Sequence, residues 1–221
     1  MATSDRNQVP VQRPVAQDTL KCRLMFTGVG TWRGEMTDVL LGPSGLLASG
    51  VQLGLDPLPY RLDYEVETTA QLVTKRLRAS AGGDGWSRSL SLQRNDSGAW
   101  TCETSTTGHP PLRAPGGDMD ALADALDCDL GKSPITNAMP VRRHELHLRE
   151  GAVDFTMAWV SVPDLAVLPA YQRYEHLSVT PTGSKVRYTG SHRGFTGVLE
   201  LDEHGIVLSY PEMAIRQPRP T

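Results

Sequence analysis

Hydrophobic and polar positions alternate along most of the chain beyond residue 20. Val51, Leu53 and Leu55 fall on one side of an extended segment, as do Leu62, Tyr64 and Val66, then Leu90 and Leu92, then Leu146 and Leu148. Each run is closed by Gly, Pro, Asp or Asn, so the period of two predicts a meander of short antiparallel strands. Two hairpins stand out, residues 90–100 and 199–207. Each has an alternating strand, a polar turn ending in Gly98 or Gly205, and a returning strand, with Trp86 or Phe195 four positions before the first leucine. Their similarity suggests an internal duplication in which residues 46–104 are echoed by 151–210. The helical period shows once. Met119, Leu122, Ala123 and Leu126 fall at i, i+3, i+4 and i+7, which predicts one short amphipathic helix over 118–126 capped by Asp118. Residues 108–117, rich in Pro and Gly, read as an extended connector within one continuous β architecture.

The 221 residues are 39% hydrophobic and 21% charged with a net charge of −3, the composition of a soluble globular chain with a substantial core. Disorder, collagen and coiled coil are excluded for the whole chain. The 21 glycines and 16 prolines against three Phe, four Trp and six Tyr favour many turns and an aliphatic interior. The charge is near balance and no run of five Lys or Arg occurs, so nucleic acid is not an expected partner. Cys22, Cys102 and Cys128 are far apart without a Cys-x-x-Cys pair, which reads as reduced thiols and a cytoplasmic location. Residues 1–18 are polar and carry no secretory apolar run, so a disordered N-terminal tail is expected there, a single β domain over 19–217, and a short tail at 218–221. The longest uncharged stretch, residues 39–55, is too short and too glycine-rich to span a bilayer, so no transmembrane segment is expected.

Several motif fragments fail on context. Gly131-Lys132-Ser133 lacks the upstream glycine of a phosphate loop, and Pro134 disfavours a helix start at Ser133. Asp127-Cys-Asp129 lacks the glycine and the bidentate glutamate of a calcium loop. His144 and His147 are spaced i, i+3 on what reads as a strand, which sends the imidazoles to opposite faces. No metal and no cofactor is expected, and no serine-nucleophile elbow occurs.

The informative stretch is residues 127–143. It gathers two carboxylates (Asp127 and Asp129), a Ser133-Pro134 turn, Thr136, Asn137, Pro140 and the pair Arg142 and Arg143. On a strand the two arginines face opposite sides, so at most one points inward, and an inward guanidinium needs a partner such as Asp127 or Asp129. Such a pair would either pin a long loop or anchor a ligand in a cavity.

Ser133-Pro-Ile-Thr-Asn137 with Pro140-Val-Arg-Arg143 resembles the Ser-Pro-x-Thr-Asn-x-x-Pro-x-Arg-Arg signature of the bacterial putative glycolipid-binding family, preceded as there by Asp-x-Asp-Leu at Asp127 to Leu130. The likeness continues through Ala158-Trp-Val-Ser-Val-Pro163, Pro169-Ala-Tyr-Gln-Arg-Tyr174 and Gly205-Ile-Val-Leu-Ser-Tyr-Pro211, and upstream through Trp32-Arg-Gly-Glu35. Two features depart from it: the 118–126 segment looks expanded, and His144 stands where an apolar residue belongs. The resemblance implies a mainly β fold, a wide curved antiparallel sheet or barrel-like roll, similar to the half-barrels of bacterial lipoprotein carriers.

The function expected on this footing is non-enzymatic binding of a small amphipathic ligand, of which a glycolipid is the form the family name gives. Alternating Leu, Val and Met would line a tail region. Glu35, Asn137, Arg142, Arg143, Trp159, Gln172 and Tyr174 are the candidate ligand contacts, with an arginine meeting an anionic headgroup or hydroxyls. Trp32, Trp86 and Trp100 join Trp159 as candidates for stacking on a sugar. Asp127, Asp129, Ser133, Pro134, Thr136 and Pro140 form the structural motif around them. Two alternatives differ in class. One is a hydrolase or isomerase using Glu35, Asp127 or Asp129 with an arginine, and the other is a structural or interaction domain with no ligand.

Overall fold

The computed structural model describes residues 19–191 and 194–218. The tail expected at 1–18 and residues 219–221 lie outside them. The first half of the chain contributes β1 (Leu20–Gly28), β2 (Arg33–Gly42), β3 (Gly45–Gly54), β4 (Tyr60–Thr68), β5 (Thr74–Gly83), β6 (Trp86–Arg94) and β7 (Trp100–Thr107). A long excursion follows, ending in the short strand β8 (Asp127–Leu130) and the helix α1 (Ala138–Arg143). The second half contributes β9 (Ala152–Val160), β10 (Val167–Thr180), β11 (Gly183–Gly190), β12 (Phe195–Asp202), β13 (Val207–Tyr210) and β14 (Ala214–Arg216).

All of them belong to one 14-stranded sheet in the order β7-β6-β5-β4-β3-β2-β1-β14-β13-β12-β11-β10-β9-β8, a curved sheet that does not close into a barrel. Every pairing is antiparallel except β8 with β9, which run parallel. The two hairpins read from the alternation are present as β6–β7 and β12–β13.

The core follows from the period of two. Cys22, Val39, Ala48, Val66, Leu77, Leu92 and Cys102 are successive cross-strand partners from β1 to β7 and form one inward row. Leu122, Ala125, Cys128, Leu130, Ile135 and Met139 of the excursion pack into the same cluster, so this segment covers the concave face of the first half. A second cluster, with Tyr174, Tyr188, Leu199, Leu201 and Tyr210, fills the other half.

Three local expectations are corrected. Residues 118–126 hold a single 3-10 turn, Asp120–Leu122, in place of the expected helix. Asp118 spends its carboxylate on the Asp120 N–H, and the Ala125 carbonyl accepts from the Trp100 indole (3.0 Å) and Arg94 Nε (3.1 Å). A nine-residue helix is marginal by itself, and these sheet donors hold its last turn elsewhere. The α-helix lies instead at Ala138–Arg143, preceded by a 3-10 turn at Pro134–Asn137. Pro134 and Pro140 both occupy first-turn positions, where a missing N–H costs nothing. The third correction concerns residues 144–148, which form turns after α1 rather than a strand, with Glu145 at φ 54° and the Leu146 N–H donating to the Val141 carbonyl. Among the described residues no helix is long and apolar enough to cross a membrane, and no group of three metal-ligating side chains forms.

Candidate ligand-binding site

Parallel pairing of β8 with β9 sets Asp129 beside Trp159. The chain then turns sharply at Gly131 and Lys132, the latter at φ 65°, a conformation uncommon outside glycine. This turn brings Ser133 and the 3-10 turn after it over β10, whose Gln172 and Tyr174 point inward and are buried. The result is a cavity of about 480 Å³ whose polar lining includes Asp129, Ser133, Asn137 and Gln172. Trp159, Tyr188, Phe195 and Tyr210 supply rings to the same cavity, and Leu130, Ala170 and Met213 supply aliphatic surface.

The polar groups hold one another in place. Gln172 Nε2 donates to Asp129 Oδ2 at 2.7 Å, and the Thr136 hydroxyl donates to Asp129 Oδ1 at 2.9 Å. Beneath them the Tyr174 hydroxyl donates to Asn137 Oδ1 at 2.7 Å, while Asn137 Nδ2 donates to the Pro134 carbonyl at 3.1 Å. Burial pushes the Tyr174 phenol well above its ordinary pKa, so it stays a donor at any physiological pH. Such a network fixes the orientation of the carboxylate and both amides before any ligand arrives.

Behind the cavity wall lies a second, fully enclosed cluster. Glu35 on β2 is buried, and its Oε1 accepts from the Ser133 hydroxyl at 2.5 Å and from the Tyr64 hydroxyl at 2.5 Å. Gln52, its cross-strand partner on β3, places Nε2 at 3.5 Å from Oε2. Tyr64 reaches this point because its β3 partner is Gly50, where an added Cβ would stand 2.7 Å from the phenol oxygen. Burial raises the Glu35 carboxyl to about 7, against the opposing pull of the Ser133 and Tyr64 hydrogen bonds and the Arg33 charge.

Neither arginine of the motif lines the cavity, which corrects the expectation of a guanidinium at the headgroup. Both sit in the last turn of α1 and not on a strand, so they diverge by roughly 100° around the helix axis. Arg143 makes a bidentate pair with buried Asp127 (2.8 and 2.5 Å) and also donates to the Leu72 carbonyl at 3.0 Å. Arg142 donates to the His204 carbonyl at 2.6 Å in the β12–β13 turn. Asp127 and the arginines therefore tie α1 to the two halves of the sheet.

Of the expected contacts, Asn137, Trp159 and Gln172 meet in the cavity and Tyr174 lies directly under it, while Glu35 is one hydrogen bond removed through Ser133. Trp86 and Trp100 are core residues, and Trp32 is exposed. The expected lining of alternating aliphatics is also revised, because most of those side chains pack into the inward rows, Leu53 and Leu55 are exposed, and the cavity wall combines rings and amides with Leu130, Ala170 and Met213. Tyr188 and Tyr210 do not stand out in the alternation, and Phe195 stands out only as the aromatic residue ahead of the second hairpin. A signal for two of them exists in the sequence, Tyr188-x-Gly190 and Phe195-x-Gly197, where each ring lies over the glycine two residues along its own strand face.

Residues 23–216 match the model of a family described as putative glycolipid-binding. The chain belongs to this family. The family description names binding, not catalysis. A DUF1089 family protein from Pseudomonas aeruginosa, seen in a crystal structure, has the same fold, with a TM-score of 0.64 at 22% identity over 83% of this chain and 92% of that one. No curated protein matches the chain significantly. In this family member the segment that carries the sequence resemblance contributes Ser133 and Asn137 to the polar lining of the cavity, beside Asp129 and Gln172.

Proposed function

We propose that the protein binds, without transforming, a small amphipathic molecule whose hydroxylated, uncharged headgroup sits against Asp129, Asn137 and Gln172, a glycolipid being the matching class. The observation that carries this reading is the cavity itself: about 480 Å³, inside the roughly 300–1,000 Å³ range of small-molecule sites, with a preorganised acceptor carboxylate, two amides and several rings. Amides and a carboxylate suit sugar hydroxyls, and aromatic faces suit the C–H surface of a pyranose. The acidic and basic side chains lining it are Asp129, Lys132 and Glu212, and no arginine is among them, so the lining favours a neutral headgroup over a phosphate.

The hydrolytic reading draws less support. Asp127 is locked to Arg143 and Glu35 is enclosed by Ser133, Tyr64 and Gln52, so of the three candidate carboxylates only Asp129, held by Thr136 and Gln172, lines the cavity. Organic-solvent extraction of purified protein, followed by mass spectrometry, tests the proposal. Hexosyl lipid in stoichiometric amount is the expected result, whereas repeatedly empty preparations that also fail to take up added glycolipid would remove it.

A further inference from the structure

The cavity continues toward one end of the sheet. A second hollow, walled by Trp32, Arg33, Leu55, Asp56 and Tyr60, shares Lys132, Glu212 and Met213 with it. Arg33 and Gly54 are cross-strand partners, so Trp32 and Leu55, one residue beyond each, stand side by side at the tip of β2–β3. Trp32 is 60% exposed and Leu55 53%, and Val29 and Leu53 next to them are also open to solvent. The turn at 28–32, Gly-Val-Gly-Thr-Trp, has no charge at all. Around the hollow the charges cancel in kind: Arg33 and Lys132 against Asp56 and Glu212. Lys132 Nζ donates to the Asp56 carbonyl at 2.6 Å, and an Arg33 N–H to the Met213 carbonyl at 2.6 Å.

We propose that this end of the sheet docks on an uncharged lipid surface, with Trp32, Leu55 and Val29 entering the interface, so that the cavity opens onto the membrane. The inference rests on the binding reading above, because a ligand with an acyl tail resides in a bilayer and needs a dry path out of it. Exposed tryptophan beside aliphatic side chains is the composition that settles at the headgroup level. The balanced charge means that anionic lipid adds nothing.

The test is flotation of the full chain with phosphatidylcholine vesicles, with and without phosphatidylserine. Binding to both, equal at low and high salt, is expected, with a loss of roughly tenfold or more in the W32S/L55S double variant. L47S, a comparably exposed leucine near the opposite end of β3, leaves binding unchanged. Both tip side chains are more than half exposed, so the double variant keeps its fold. Absence of flotation, flotation only with phosphatidylserine, equal loss in L47S, or a dimer that W32S/L55S dissociates without any vesicle binding would each overturn the proposal. Titration with monomeric octyl β-D-glucoside separates the two claims. Uptake of that probe unchanged in W32S/L55S supports a tip that acts on docking alone, and failure of the wild type to take it up counts against the binding reading, while flotation still decides the docking.

Discussion

The Ser133 hydroxyl donates to Glu35 Oε1 at 2.5 Å across 98 residues of sequence, joining the wall of the cavity to a carboxyl buried between β2, β3 and β4. That bond is the shortest link between the two halves of the polar interior, and it makes the charge of Glu35 a property of the cavity wall.

Glu35 predicts an unusual pH dependence. Its folded pKa is raised from 4.5 to about 7, so between those values the unfolded chain has released a proton that the folded protein retains. Stability from this group is therefore full at low pH and is lost as the pH rises through about 7, a change of about 3 kcal/mol. Urea unfolding at pH 5 and pH 8 should show the decline in the wild type and a much flatter difference in E35Q. Equal slopes in both would mean that Glu35 is ionised throughout.

How this cluster came to be hidden is instructive. The alternation of Val51, Leu53 and Leu55 marks β3 correctly as a strand, yet those side chains face outward, and Leu53 and Leu55 are exposed. Leu46 and Ala48 fill the inward positions of the first half of that strand, but those of the second half are Gly50, Gln52 and Gly54, which lie against the Tyr64 ring, the Glu35 carboxyl and the Tyr60 ring. Over this second half the apolar period therefore reports the outer face, because the inner one is given to a polar group and to glycines under tyrosines. Leu62, Tyr64 and Val66 on β4 follow the ordinary rule and are buried. The cavity wall is partly legible where chemistry-bearing residues cluster in sequence, as at Asn137, although the motif reading keeps Asp129 and Ser133, which line the same cavity, among the structural residues. It was not legible where strands bring single residues together from afar, as with Tyr188 and Tyr210. The arginines were misplaced for a local reason: Pro134, which disfavours a helix start at Ser133, is itself the first residue of the 3-10 turn that leads into α1.

The Asp127–Arg143 pair predicts a stability effect separable from binding. Asp127 is buried and Arg143 nearly so. R143A should destabilise by about 3–5 kcal/mol because it leaves an unpaired buried carboxylate. The D127A/R143A double variant should lose less than the sum of the single changes, and R142A, which forfeits one hydrogen bond to a carbonyl, should lose about 1–3 kcal/mol. Folded protein of each variant should still take up octyl β-D-glucoside. Loss of uptake in R143A with an unchanged melting temperature would instead assign the arginine to the ligand.

Ala170 offers a way to close the cavity from within. It is buried on β10 and lines the space next to Gln172. A170L should fill part of the empty volume at a cost of about 1–3 kcal/mol and weaken octyl β-D-glucoside uptake by roughly tenfold or more. Chemical denaturation and calorimetric titration on the same preparation check both halves of the expectation.

The most direct test of the central claim is a calorimetric titration of wild-type and D129N protein with octyl β-D-glucoside below its micellar concentration, beside octyl phosphate as the charged counterpart. Asp129 is fixed by Gln172 and Thr136 and faces the cavity. Saturable binding of the glucoside with a single site, weakened roughly tenfold in D129N, and no binding of the phosphate is the predicted result. Binding of the phosphate in preference to the glucoside, or equal glucoside binding by both proteins, would contradict it.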